Sequence, residues 1–217
     1  MWSTAPLACG AVLRLSIFRN GQRLVESGAR APRADAQRNY ERILDVARTV
    51  IEEQGTQASL RDVARRSGVG LGTLYRHFPS RDALLEALLR RRFDHLAERA
   101  EVLADSCPPW EALTRWLDEF VAGAGRYRGL PESIMATLRD DDSPLHAACL
   151  GMRRSGGALL QRAQLAGQVR ADVTAVDLFA LANAVGWIAE QDPALTGRRE
   201  HLLALVLDGL GARPRQA

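Results

Sequence analysis

The sequence predicts an all-α protein, with an N-terminal three-helix unit followed by a larger helical domain. Apolar residues recur at three- and four-residue spacing through most of the chain after Asp35, the period of an amphipathic helix. Ala, Leu and Arg abound while aromatics make up 6%, a composition that favours helix over sheet. No strand signal runs longer than three residues.

Size and charge narrow the classes. The chain has 217 residues, enough for one large or two small domains, and is 47% hydrophobic and 25% charged. A composition of this kind can bury a real core and stay soluble. Every basic side chain other than histidine is an arginine; there is no lysine. A formal charge of +3 permits an acidic partner without requiring one, so a nucleic-acid reading must rest on local placement. Cys9, Cys107 and Cys149 are odd in number and far apart, without metal-like spacing, and are expected as free thiols in a reducing cytoplasm. No apolar run reaches the ~18 residues of a membrane span, and Leu7 to Phe18 is too short and is interrupted by Arg14. Neither a signal peptide nor a membrane partner is expected.

Residues 1–34 carry scattered Gly and Pro and five arginines against Glu26 alone, and are expected as a disordered basic extension. From Asp35, Tyr40, Ile43, Leu44, Ala47, Val50 and Ile51 form one apolar stripe, ended by Gly55. Ser59 is expected to cap a short helix over Leu60 to Arg66, with Asp62 in a weak capping box. Ser67-Gly68 turns the chain into a helix from Leu71 to His77, closed by Pro79. Leu74 and Phe78 point inward. The tight turn forces a steep crossing, which is helix-turn-helix geometry over 35–80. Ser80 caps a long helix from Arg81 to about Asp105, and Pro108-Pro109 breaks it. Helices follow from Trp110, from Pro131 to Arg139, from Pro144 to Gly167, from Asp172 or Thr174 to Glu190, and from Arg198 to Leu210. The helices near 174–190 and 198–210 are apolar on more than one side. A second copy of the chain is their expected cover.

The run SLRDVARRSGVGLGTLYRHFPSRDALLEALL resembles the DNA-binding segment of the TetR family of bacterial repressors, over about Tyr40 to Leu89. Ala64, Gly68-Val69, Thr73-Leu74-Tyr75, Phe78 and Arg81 carry the likeness. The later WEAL–WLDEF and RRSGGALLQRAQ stretches look like one branch of that family. The resemblance implies that the third helix enters the major groove of double-stranded DNA, with Gly70, Leu71, Gly72 and Thr73 nearest the bases. It implies that Tyr75 and His77 hold phosphates, that Arg81 adds its charge to a helix start, and that Ser59, Arg61 and Arg38 clamp the backbone. The family commonly has a polar residue where Leu71 stands, so base reading falls on Thr73 and Arg61, with part left to DNA shape.

The resemblance also implies a small effector bound inside 81–217. Its identity is unknown; Trp110, Trp116, Phe120, Met135, Leu138, Met152, Phe179 and Trp187 are candidates for an apolar lining. No enzyme motif stands against this. Gly68 to Gly72 lacks the strand and spacing of a dinucleotide loop, and no HExxH, GxSxG or paired Cys-x-x-Cys occurs. Asp140 to Asp142 reads as a charged turn, and His95, His146 and His201 stand singly, so no cofactor, metal or catalytic group is expected. The expected function is a dimeric, effector-released repressor on a pseudo-palindrome. The alternative is an all-α small-molecule-binding or enzyme domain in which the helix-turn-helix is incidental.

Overall fold

The structure, a computed structural model, describes residues 30–124, 130–191, 195 and 197–212. Among them are nine α-helices: α1 (Arg30–Gln54), α2 (Leu60–Ser67), α3 (Leu71–His77), α4 (Arg81–Ser106), α5 (Pro109–Ala124), α6 (Glu132–Arg139), α7 (Pro144–Leu165), α8 (Ala175–Gln191) and α9 (Arg199–Leu210). One isolated antiparallel bridge joins Val169 to Gly211.

Two local expectations need correction. Helix α1 begins at Arg30, ahead of Asp35, so the end of the presumed disordered extension is helical. Pro32 sits in the first turn, where its missing N–H breaks no helical bond, and Ala31, Ala34 and Ala36 favour helix. The rest of that extension, 1–29, lies outside the described residues. Ser59 takes the N-cap backbone conformation of α2 but makes no side-chain cap; its carbonyl accepts from the N–H groups of Asp62 and Val63. Asp62 does not reach back to the cap. It accepts from Gln54 at 3.0 Å and pairs with Arg65 and Arg66, which pins α2 to the end of α1. Those donors, Arg65 and then Gln54, hold the Asp62 carboxyl below its ordinary value.

Other caps follow the sequence. Ser80 accepts from the Ala83 N–H at 3.0 Å, and Ser143 from the His146 N–H at 2.9 Å, with Pro144 in the first turn of α7. Thr174 opens α8 in a reciprocal box. Its N–H and hydroxyl donate to the Asp177 carboxylate, and its oxygen accepts the Asp177 N–H at 3.2 Å. Gly55 and Gly68 end α1 and α2 at φ +77° and +67°, where a side chain would be strained.

The helices enclose two cores. The first joins Ile43, Leu44, Ala47, Val50 and Ile51 of α1 to Val63, Ala64, Leu74 and Phe78. It also takes Leu84, Leu85, Leu88 and Leu89 of α4, Ile134 of α6 and Leu145 of α7. A boundary drawn between 80 and 81 therefore cuts through this core. The second is built from Leu96, Ala100 and Leu103 of α4 with apolar faces of α5, α7, α8 and α9. Phe93 packs against both, so α4 is a single rod shared by the two cores. Each fully buried Leu or Phe contributes about 1.5–3 kcal/mol.

Candidate nucleic-acid interface

Helix α3 divides sharply between two faces. Leu74 is fully buried and Phe78 nearly so, and both anchor the helix on α1 and α4. Gly72, Tyr75 and Arg76 are exposed, Tyr75 at 46%. Thr73 is half-buried at the edge, close to Gly70. Leu71 is half-buried and packs on the first core, so its side chain serves the fold more than the outer face.

The two glycines of the tip are not required from within. Gly70 has φ −64°, and a Cβ there would meet only the Thr73 hydroxyl at 3.9 Å, an ordinary contact. A Cβ on Gly72 would meet nothing within 4 Å. Glycine inside a helix costs about 1 kcal/mol relative to alanine. Among the described residues no atom lies within 4 Å of that Cβ position, so no close contact there calls for glycine at 72. The absent side chain leaves the outward backbone of α3 open to close approach.

Around this edge the remaining predicted residues fall unevenly. Arg61 and Ser59 are exposed at the start of α2. Arg81 is half-buried and donates to the Gln57 side chain at 2.8 Å, so its guanidinium is held at the start of α4 beside α3. His77 is half-buried, edge-on to Tyr40 at 6.1 Å, while Tyr40 stacks on Phe78 at 5.1 Å. Arg38 lies on α1 and is paired with Asp35, both strongly exposed, an interaction weak enough to exchange. Sequence reasoning missed Arg76 and Gln57. Arg76 is exposed on α3 next to Tyr75; its place on the outward face follows from the same helical period that buries Leu74. Gln57 had no local signal, because its role depends on Arg81, far along the chain.

Comparison with known proteins meets this geometry. Residues 43–88 match the model for bacterial regulatory proteins of the tetR family, and residues 108–212 match the SbtR-like transcriptional regulator C-terminal domain. The crystal structure of the TetR transcriptional regulator SCO0520 from Streptomyces coelicolor is 34% identical. The match covers 81% of this chain and 99% of that one, with a TM-score of 0.66. The chain belongs to the TetR family. A TetR transcription regulatory protein from Mycobacterium vanbaalenii is 32% identical over 83% of this chain and 99% of its own, with a TM-score of 0.61. The HTH-type transcriptional regulator SAR0097 of Staphylococcus aureus is 33% identical over 120 residues, 52% of this chain. The chain spans 59% of the length of that curated relative. TetR-family regulators bind DNA and effector ligands and act as dimers.

The residues put forward for a TetR-type effector pocket separate in space. Trp116, Phe120, Met152 and Phe179 meet in the second core. Trp116 stacks on Phe120 at 5.5 Å and meets Phe179 edge-on at 5.8 Å, and its indole N–H donates to the Leu96 carbonyl at 2.7 Å. Gly156 lets α7 reach this cluster: a Cβ there would lie 2.5 Å from the Trp116 ring. Trp110 is half-buried at the rim, where its backbone N–H donates to the Gln168 side-chain oxygen at 3.1 Å. Met135 and Leu138 are half-buried on α6, and Leu138 packs on the first core, not the second. Trp187 is corrected outright as a lining residue. It is 63% exposed on the outer face of α8, because the helical period turns Val185 and Ala189 inward in its place.

That outer face is apolar. Val176, Leu181, Trp187 and Ile188 on α8 and Leu205 on α9 are all exposed large hydrophobics. Among the described residues no group of three or more His, Cys, Asp or Glu side chains is placed to hold a metal ion, and no helix is long and apolar enough to cross a membrane.

Proposed function

We propose that the chain is a homodimeric transcriptional repressor that places α3 of each subunit in successive major grooves of a pseudo-palindromic operator. The observation that carries this reading is the outer edge of α3. Among the described residues nothing would crowd a Cβ at Gly72, and Tyr75, Arg76 and Arg61 stand exposed. Thr73 offers a hydroxyl and a methyl to a base edge, while Tyr75, His77 and Arg81 serve phosphates and set the register. The large hydrophobic side chains exposed on α8 and α9 support pairing with a second copy, since exposed apolar surface of this kind seeks cover. Two-fold pairing spaces the recognition helices about 34–36 Å apart, one turn of the duplex.

A small apolar effector binds among Trp116, Phe120, Met152 and Phe179 in the conformation that α3 does not present correctly to DNA. Effector and operator then weaken each other by the same factor. Selection of bound duplexes from a random pool tests the reading. The expected product is an inverted repeat with half-sites about 10 bp apart, centre to centre, or a multiple. Recovery of no enriched sequence at low salt would remove it.

A further inference from the structure

We propose that Gln57 is a positioning residue for DNA binding, which aims the Arg81 guanidinium at a phosphate without neutralising it. This rests on the DNA-binding reading above and adds to it a residue outside the helices of the helix-turn-helix. Gln57 lies in the loop between α1 and α2, 24 residues before Arg81.

Two fixed supports carry the pair. Thr56 and Ala58, on either side of Gln57, are buried, and the Ala58 N–H donates to the Gly55 carbonyl at 3.1 Å. The loop is held by these neighbours, and Gln57 between them is exposed. Arg81 opens α4, where the Ser80 side chain accepts the Ala83 N–H at 3.0 Å and Leu84 and Leu85 fix the first turn on the first core. Arg81 Nη1 donates to Gln57 Oε1 at 2.8 Å. A bond between two anchored backbones restricts a long side chain before any ligand arrives, which lowers the ordering cost of binding.

The chemistry of the partner matters as much as its place. Arg38 pairs with Asp35, Arg65 with Asp62, and Arg66 with both Asp62 and Glu53. Each of these guanidiniums has a carboxylate beside it. Among the described residues, the hydrogen-bond partner of Arg81 is a neutral amide. Its neighbour Asp82 accepts instead from the Ser133 hydroxyl at 2.6 Å, on α6. An amide oxygen orients a guanidinium and leaves its full charge for an anion. The Arg81 Nε–H is buried and makes no hydrogen bond among the described residues, so the chain does not fully satisfy this group. The charge also sits at the positive end of the α4 dipole, which favours an anion there.

Binding of a selected duplex to the full chain, followed against salt by fluorescence anisotropy, tests the role, with melting temperature read alongside. Arg81→Gln should lower affinity about tenfold and flatten the log–log salt slope by about 0.9, the share of one phosphate contact. Gln57→Glu should keep the melting temperature, since an exposed ion pair replaces the neutral bond, yet lose affinity about tenfold and flatten the slope by a similar amount. Gln57→Ala should lower affinity about threefold with the slope kept, because Arg81 is released and not removed. In the Arg81→Gln background, Gln57→Ala should cost nothing further. Unaltered affinity in Gln57→Glu, or the same threefold loss in both backgrounds, would overturn the positioning role. An unchanged slope in Arg81→Gln, with the duplex still bound, would overturn it by removing the Arg81 contact. Failure of the unaltered chain to bind any duplex at low salt would overturn the DNA-binding reading, and this role with it.

Discussion

Two outward faces among the described residues, one on α3 and one on α8 and α9, differ in kind. On α3, the face is small and polar: Gly72, Tyr75 and Arg76 around a half-buried Thr73. On α8 and α9 it is broad and apolar, with Trp187 63% and Leu205 55% exposed. Both are set by helices whose opposite sides are firmly buried, through Leu74 and Phe78 in one case and Leu178, Phe179 and Ala182 in the other. The two differ as the two proposed partners do. A hydrated polyanion is met by accessible backbone and polar groups, and a second copy by apolar area that excludes water.

The largest expected effect comes from reversing the character of the apolar face. Trp187→Glu places a charge where an aromatic anchor would be buried, and should shift the assembly to monomer by about 2 kcal/mol or more, read by sedimentation. Operator affinity should fall with it, although each α3 is untouched. A dimer unaffected by this change would move the subunit contact elsewhere. On the polar face, Gly72→Ala should split two quantities. Helix propensity should raise thermal stability by up to about 1 kcal/mol, while operator affinity drops about tenfold. A variant that gains stability and keeps its affinity would remove the close-approach argument.

Tyr75→Phe is milder, costing about 1 kcal/mol of affinity on every duplex alike. Thr73→Ala should instead change which half-sites are selected. An identical selected set would take Thr73 out of base reading.

The smallest effect concerns acid. Thr174, through its hydroxyl first and its N–H second, holds the Asp177 carboxyl below the ordinary aspartate value. A depressed folded-state value means that the cap stabilises α8 fully above about pH 3.9 and loses this as pH falls through the lower value. Asp177→Asn should therefore flatten the acid limb of the stability profile, with the neutral region little changed. The exposed apolar face of α8 should respond through this cap and α3 should not.

Most of the fold is written locally. The stripes of α1 and α4, the glycine turn at Gly68, the serines at 80 and 143 and the prolines between helices place nearly every element to within a few residues. The outer face of α3 was legible for the same reason, since a buried Leu74 and Phe78 dictate what points away. Ser59 was less so, because Asp62 had nearer partners in Gln54, Arg65 and Arg66 than a cap. Trp187 misled because an aromatic residue on a doubly apolar helix satisfies either a pocket or a subunit face, and period alone does not choose.

Sequence by itself determined the helices, their order and the outward edge of α3, because each depends on side chains one or two turns apart. Only the tertiary structure decided which long-range groups meet: α4 as the rod of two cores, Gly156 under the Trp116 ring, Gln57 beside Arg81, and Arg92 on the Phe120 carbonyl. Such meetings join residues distant along the chain, and helical period contains no term for how two helices cross.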